Sequence, residues 1–150
     1  MIVLDYKQAK KEIEKIILKK SDILSSVVNF LYENFEHYNW VGIYFLKGNK
    51  LVLGPWKGKQ STEHIKIPIG KGICGAAAAS GKTEIINDVN IDKRYLSCFV
   101  STKSEIVVPI KKGKKVLAEI DIDSDKKNAF SKKDKVFLED LADMLFEHIH

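Results

Sequence analysis

The sequence predicts an α+β fold, in which a central antiparallel sheet of about six strands carries the N- and C-terminal helices on one face. Three observations lead to this expectation. Amphipathic helical stripes stand at both ends of the chain, short β-branched segments lie between them, and glycine-containing turns join two pairs of these segments into hairpins. At 150 residues, the chain has the length of a single domain with one core.

The helices are predicted from apolar residues at helical spacing among lysines and glutamates. Two N-terminal helices are expected over about residues 5–36, the second capped by Ser21 and Asp22. A C-terminal helix is expected over about residues 131–148, where Ser131 and Asp134 have the spacing of a capping box. For the two N-terminal helices a purely structural interpretation is sufficient, in which they pack on the sheet or on a partner subunit.

The sheet and a pocket are expected over about residues 39–124. Asn39–Phe45 and Leu51–Leu53 form the first predicted hairpin, after which Gly54–Gly58 is expected to break the sheet. A second hairpin joins Glu105–Ile110 to Lys115–Asp123. Between the hairpins, short strands flank a small-residue helix that contains Cys74 and ends at a glycine.

Composition excludes several classes of function. The net charge of +5 comes almost entirely from lysines spread along the chain, with Arg94 the only arginine, so we expect no nucleic-acid partner. No apolar run approaches the roughly 20 residues of a membrane span, and the first residues lack the pattern of a signal peptide. Two cysteines do not make a disulfide framework. We therefore expect a cytoplasmic protein, without a metal or a bound cofactor.

The two cysteines are the candidate reactive groups. Cys98 lies in the longest stretch without regular periodicity, and such long loops are often functional. Cys74 follows Gly70 and Gly72 at the start of a helix, a position that can lower the pKa of a thiol. The alternative is that Cys74 is a small buried apolar residue among alanines.

Carboxylates and aromatic residues form the second candidate set. Leu117, Glu119, Asp121 and Asp123 share one face of a strand, and Glu105 begins the neighbouring strand. These acids either line a pocket or face solvent at an edge, since buried unpaired acids are costly. Trp40 and Tyr44 flank Gly42 on one strand face, where they either wall a pocket or belong to the core.

Five motifs in order resemble the free methionine-(R)-sulfoxide reductases, a family of GAF domains, over roughly residues 39–146. They are Asn39-Trp-Val-Gly-Ile-Tyr44, Leu53-Gly-Pro-Trp-Lys-Gly58, Ile67-Pro-Ile-Gly-Lys-Gly-Ile-Cys-Gly75, Ser104-Glu-Ile-Val-Val-Pro109 and Asp121-Ile-Asp-Ser124. Each motif alone is weak, whereas the ordered set is specific.

The resemblance implies a single GAF-like domain over residues 1–150 and a role for each matching residue. The family's nucleophilic cysteine falls on Cys98 and its second redox cysteine on Cys74. Its substrate-holding groups fall on acids and on an aromatic wall: Glu105, Asp121, Asp123, Trp40 and Tyr44. The implied substrate is free methionine sulfoxide, the implied external reductant is thioredoxin, and a homodimer is expected.

Two positions depart from the family pattern. His64 stands where many members carry a third cysteine, which leaves Cys74 as the only internal partner for Cys98. Glu119 stands where the family usually has an apolar residue, and it either alters the charge of the pocket or faces water.

The residues themselves fit reductive thiol chemistry. A thiolate can attack a protonated sulfoxide, release the thioether and become a sulfenic acid, which a second thiol converts to a disulfide. One acid, kept protonated by its neighbours, can supply the proton, and the sequence leaves open which one. Two other functions remain open: a GAF sensor that binds a small molecule with inert cysteines, and a thiol-redox switch with a protein partner.

Overall fold

The computed structural model describes residues 5–62, 64–95 and 101–150, and it has an α+β fold built on a six-stranded sheet. The strands are β1 (Trp40–Lys47), β2 (Lys50–Gly58), β3 (Lys66–Pro68), β4 (Glu84–Ile86), β5 (Ser104–Lys112) and β6 (Lys115–Ser124). Their order across the sheet is β3-β2-β1-β6-β5-β4, and every neighbouring pair is antiparallel. The predicted fold class is confirmed.

Four helices accompany the sheet. They are α1 (Tyr6–Leu18), α2 (Ile23–Asn34), α3 (Gly72–Ser80) and α4 (Lys132–Leu145). As predicted, α3 ends at Gly81, which adopts the left-handed conformation, and α4 begins with a capping box between Ser131 and Asp134. Within the described residues, none of the helices is long and apolar enough to cross a membrane.

One face of the sheet is aliphatic and packs under α1, α2 and α4. Its three central strands contribute residues that are aligned across the strands and fully buried: Val41 and Ile43; Ala118, Ile120 and Ile122; Ile106, Val108 and Ile110. Because side chains alternate along a strand, the residues between them all point to the opposite face, where α3 lies. The two faces of the sheet therefore carry different side chains and belong to two distinct hydrophobic clusters.

The prediction that the sheet breaks after Leu53 is wrong, because β2 continues through Gly54 and Pro55 to Gly58. The pairing of β1 with β2 shifts between Gly42 and Tyr44, so that two residues of β2 stand opposite Ile43. These two residues form a β-bulge, which tolerates proline because the ladder hydrogen bond is already interrupted there. The bulge lets β2 run on to Gly58, which pairs with Trp40.

A single buried carboxylate ties the helical layer together. Oδ1 of Asp134 accepts hydrogen bonds from the hydroxyl groups of Tyr6 on α1 and Tyr38 before β1, at 2.8 and 2.7 Å, and contacts His37 Nε2 at 2.8 Å. Its Oδ2 accepts from the backbone and side chain of Ser131 at 2.8 and 3.0 Å. Burial acts to raise the pKa of Asp134, but these hydrogen bonds outweigh it and hold that pKa well below its usual range.

Removing one of these donors should destabilise the fold measurably. We expect Tyr38→Phe to lower the free energy of unfolding by about 1.5–3 kcal/mol, the scale of a hydrogen bond to a charged group. The matched control is Tyr32→Phe, whose half-buried hydroxyl has no hydrogen bond to any described residue and whose loss should change stability by less than about 0.5 kcal/mol. Urea denaturation of both variants measures the difference, and equal midpoints would contradict the proposed role of Asp134.

Candidate active site

A row of buried carboxylates crosses the face of the sheet opposite the large helices. Asp123 on β6 pairs with Glu105 on β5, and Asp121 and Glu119 follow at every second residue. The exposed fractions are 4% for Glu105 and 0%, 2% and 2% for Glu119, Asp121 and Asp123. We call these four residues the acid row. A solvent-facing edge is therefore excluded, and so is the alternative in which Glu119 faces water.

The three β6 acids lack a full set of hydrogen-bond partners. Among the described residues, Asp121 Oδ1 and Asp123 Oδ1 have no hydrogen-bond partner, and Glu119 has only the thiol of Cys74. Burial raises the pKa of all three carboxyls, and the charge of Asp121 raises the pKa values of Glu119 and Asp123 further. Glu105 opposes the shift by hydrogen-bonding Asp121 and Asp123. The buried carboxylates therefore favour bound protons or a nearby cation over free negative charges.

Cys74 lies in the first turn of α3, directly over this row. Its Sγ and carboxylate oxygens of Glu105 and Asp121 all lie within 4.8 Å of one another. Burial raises the pKa of the Cys74 thiol well above its usual value, and the charges of Asp121, Glu119 and Glu105 raise it further. The expectation that the start of the helix lowers this pKa is therefore wrong, because desolvation and acidic neighbours dominate.

Cys74 is also buried with apolar neighbours, as the alternative interpretation expected, and it is a free thiol. The close fit of α3 explains the burial. A Cβ atom added to Gly75 would come within 2.7 Å of the carbonyl oxygen of Pro68, so only glycine allows the helix to approach this turn. Cys74 is therefore both a packed residue and a neighbour of the acids.

Trp40 and Tyr44 form an aromatic wall beside the acid row. Trp40 pairs with Asp123 and Tyr44 with Glu119 across β1 and β6. The indole of Trp40 packs against two glycines, Gly42 and Gly58. A Cβ atom added to either glycine would come within 2.4 Å of the ring, so a larger residue there would displace it. Both aromatic residues are buried, as the core interpretation expects. Their role as the wall of a substrate pocket stays a prediction.

The segment that contains His64 is held against the same wall. The Tyr44 hydroxyl donates to the carbonyl oxygen of His64 at 2.8 Å, and the His64 backbone N–H donates to Thr62 Oγ1 at 3.1 Å. The charge of His64 acts to lower the pKa of Asp121, in opposition to burial. His64 therefore lies near enough to the acid row to act on Asp121. It is the residue that stands where the family resemblance would place a third cysteine.

Cys98 lies outside the residues that the structure describes. The geometry given for the site is therefore that of the other predicted site residues. A small pocket of about 60 Å³ opens where β1 and β6 meet at the start of the acid row. Its lining consists of Asn39, Trp40, Lys59, Gln60, Ser101, Thr102, Asp123 and Asp125. Of the acid row, Asp123 lines this pocket.

Comparison with known proteins agrees with this architecture. The family model of the GAF domain matches residues 21–148. The free methionine-R-sulfoxide reductase of Saccharomyces cerevisiae is 43% identical over 126 residues, which cover 81% of this chain and 69% of that protein. The enzyme of the same name from Escherichia coli is 31% identical over 143 residues, covering 93% and 86% of the two chains. This chain belongs to the free methionine-R-sulfoxide reductase family of GAF domains.

A solved structure extends the comparison to the site. The free methionine-R-sulfoxide reductase from Neisseria meningitidis, whose structure was determined in complex with its substrate, superimposes on this GAF domain with a TM-score of 0.90. It is 29% identical and covers 99% of this chain and 93% of its own. The likeness therefore extends over the whole fold, including the sheet and the helices.

Sequence reasoning left Glu119 out of the candidate site residues. Glu119, Asp121 and Asp123 occupy alternate positions of the strand, and alternate residues share one face. This spacing was enough to place Glu119 beside the two aspartates. What the pattern could not show was which face is buried, because that depends on the strands and helix that cover it.

The two glycines under Trp40 provide a test of the aromatic wall. We expect Gly42→Ala to tilt the indole away from its stack with Trp56, where the ring centroids lie 6.2 Å apart. The coupled tryptophan signal in near-ultraviolet circular dichroism should then decrease. Gly54→Ala is the matched control, since its Cβ would crowd Phe45 instead, at 2.2 Å. An unchanged tryptophan signal in Gly42→Ala would show that Trp40 does not lie over this glycine.

Proposed function

We propose that this chain reduces free L-methionine-(R)-S-oxide to L-methionine. The observation that carries the proposal is the acid row, because its buried carboxylates favour a cationic partner or bound protons. The ammonium group of a free amino acid is such a partner, and Asp121, Asp123 and Glu105 would bind it through charge-assisted hydrogen bonds. A methionine sulfoxide within a peptide lacks this ammonium group and should be rejected.

The reaction would begin at Cys98. Its thiolate attacks the sulfoxide sulfur while one of the protonated acids gives a proton to the sulfoxide oxygen. The hydroxyl group so formed transfers to the Cys98 sulfur as the new bond between the two sulfurs breaks, and the thioether leaves as methionine. The oxygen stays on Cys98 as a sulfenic acid. Support for the proton donor comes from burial, which raises the pKa values of Asp121 and Asp123 and so favours the protonated form of both acids.

Cys74 would then resolve the intermediate. Its sulfur attacks the sulfenic sulfur of Cys98, water leaves and a disulfide forms, so that the two thiols supply the two electrons of the reduction. We propose that thioredoxin reduces this disulfide in the cytoplasm. The position of Cys74 supports this role, because its Sγ lies within 4.8 Å of carboxylate oxygens of Glu105 and Asp121, which would hold the substrate. The homodimer implied by the resemblance stays a prediction.

A coupled assay tests the activity and its selectivity. With thioredoxin, thioredoxin reductase and NADPH, we expect turnover of the free (R)-epimer and none of the (S)-epimer. N-acetylmethionine-(R)-sulfoxide is the matched control, because it keeps the sulfoxide and loses the cation that the acid row would bind. Comparable rates with the acetylated compound would refute ammonium recognition. Ligand binding without any methionine release would favour the sensor, and peroxide oxidation without turnover the redox switch.

The two cysteines should differ in a single-turnover experiment. We expect Cys98→Ser to release no methionine, because no thiolate attacks the sulfoxide. Cys74→Ser should release one equivalent per chain and then stop, leaving a sulfenic acid on Cys98 that dimedone traps. Mass spectrometry of both variants measures methionine and the adduct. A full burst from Cys98→Ser together with none from Cys74→Ser would assign the nucleophile to Cys74 instead.

A further inference from the structure

We propose that the reduced chain binds a divalent transition-metal ion, with zinc the preferred physiological ion, through Cys74, Glu105 and Asp121. This site departs from the sequence-based expectation that the chain binds no metal. It uses a thiol and two acids from α3, β5 and β6, which meet over the acid row.

The first argument is geometric. One ligand atom from each residue, Cys74 Sγ and an oxygen of each carboxylate, lies within 4.8 Å of the other two. An ion placed between them can reach all three with small side-chain rotations, since zinc bonds to sulfur and oxygen span about 2.0–2.3 Å. All three residues are buried on regular elements, which limits the movement of the ligands.

The second argument is Glu119, which the proposed reaction does not use. Its side chain is fully buried and lies beside Asp121. Among the described residues only the thiol of Cys74 is placed to hydrogen-bond its carboxylate, which leaves at least one carboxylate oxygen without a partner. It is also close enough to Cys74 for its charge to raise the pKa of that thiol. One ammonium group would neutralise a single acid of the row, so an additional buried carboxylate here points to an ion of higher charge.

The donor set selects the class of metal. A thiolate is a soft ligand that magnesium and calcium avoid, whereas zinc and cobalt accept thiolate and carboxylate together. The ion would displace the proton of Cys74, so the high pKa of the free thiol does not prevent binding. Binding at this place would also block the acids that hold the substrate. That inhibitory consequence rests on the proposed function, while metal binding itself does not.

Cobalt provides a readout that is independent of activity, because a cobalt–thiolate bond absorbs in the near ultraviolet. We expect the reduced chain to bind one Co²⁺ per chain with this absorption, and Zn²⁺ in excess to abolish it. Cys98→Ser should keep the signal and Cys74→Ser should lose it, a matched pair that distinguishes the two thiols. Excess Mg²⁺ should leave it unchanged.

The carboxylates are tested by competition with a chromophoric zinc chelator. We expect Asp121→Asn and Glu119→Gln each to weaken Zn²⁺ binding by about tenfold or more, the scale of losing a ligand or its support. Asp125→Asn, an exposed acid near the same strand end, should not change it. Equal affinities in all three variants, or a cobalt signal that follows Cys98, would overturn the proposal.

A measurement on the unaltered chain covers the case in which a variant does not fold. Zn²⁺ should slow alkylation of Cys74 and leave alkylation of Cys98 unchanged, as read by peptide mass spectrometry. Equal alkylation of Cys74 with and without Zn²⁺ would overturn the site. A chain that binds zinc at Cys74 but reduces no sulfoxide would refute the proposed function and leave the metal site standing.

Discussion

The desolvation of the acid row is the constraint to which the rest of the structure is fitted. An ionised carboxylate loses several kcal/mol of hydration on burial unless a counter-charge or hydrogen bonds replace the water. The three acids of β6 receive little of either from the described residues, so they hold protons or wait for a cation. Burying these acids lowers the stability of the fold, and such costly arrangements are typical of functional sites.

The opposite face of the sheet makes this arrangement tolerable. Ile120 and Ile122 alternate with the acids on β6 and lie in the aliphatic core under α1, α2 and α4. That core anchors the strand firmly, so the acids are presented on a rigid support. The bulge in β2 and the glycines under Trp40 serve the same end, since they bring an aromatic wall against the row without disturbing the core.

Local periodicity was enough to predict the helices, the two hairpins and the face shared by Asp121 and Asp123. It failed where distant elements decide the outcome. The continuation of β2 through Pro55 depends on a bulge opposite β1, which no single segment reveals. The high pKa of Cys74 depends on acids from β5 and β6, which outweigh the start of its own helix. The motifs named these acids, and only the packed sheet shows how completely they are buried.

The contrast between Asp134 and the acid row gives the two faces of the sheet opposite responses to acid. The pKa of Asp134 is depressed, so its contribution to the free energy of unfolding is fully present above the unfolded value near 3.9. It is lost progressively as the pH falls from that value towards the depressed pKa of the folded state. The pKa values of the β6 acids are raised, so protonation relieves their burial at higher pH, before that value is reached. Acidification therefore first stabilises the face that carries the acid row and only afterwards weakens the hydrogen bonds of Asp134 to the helical layer.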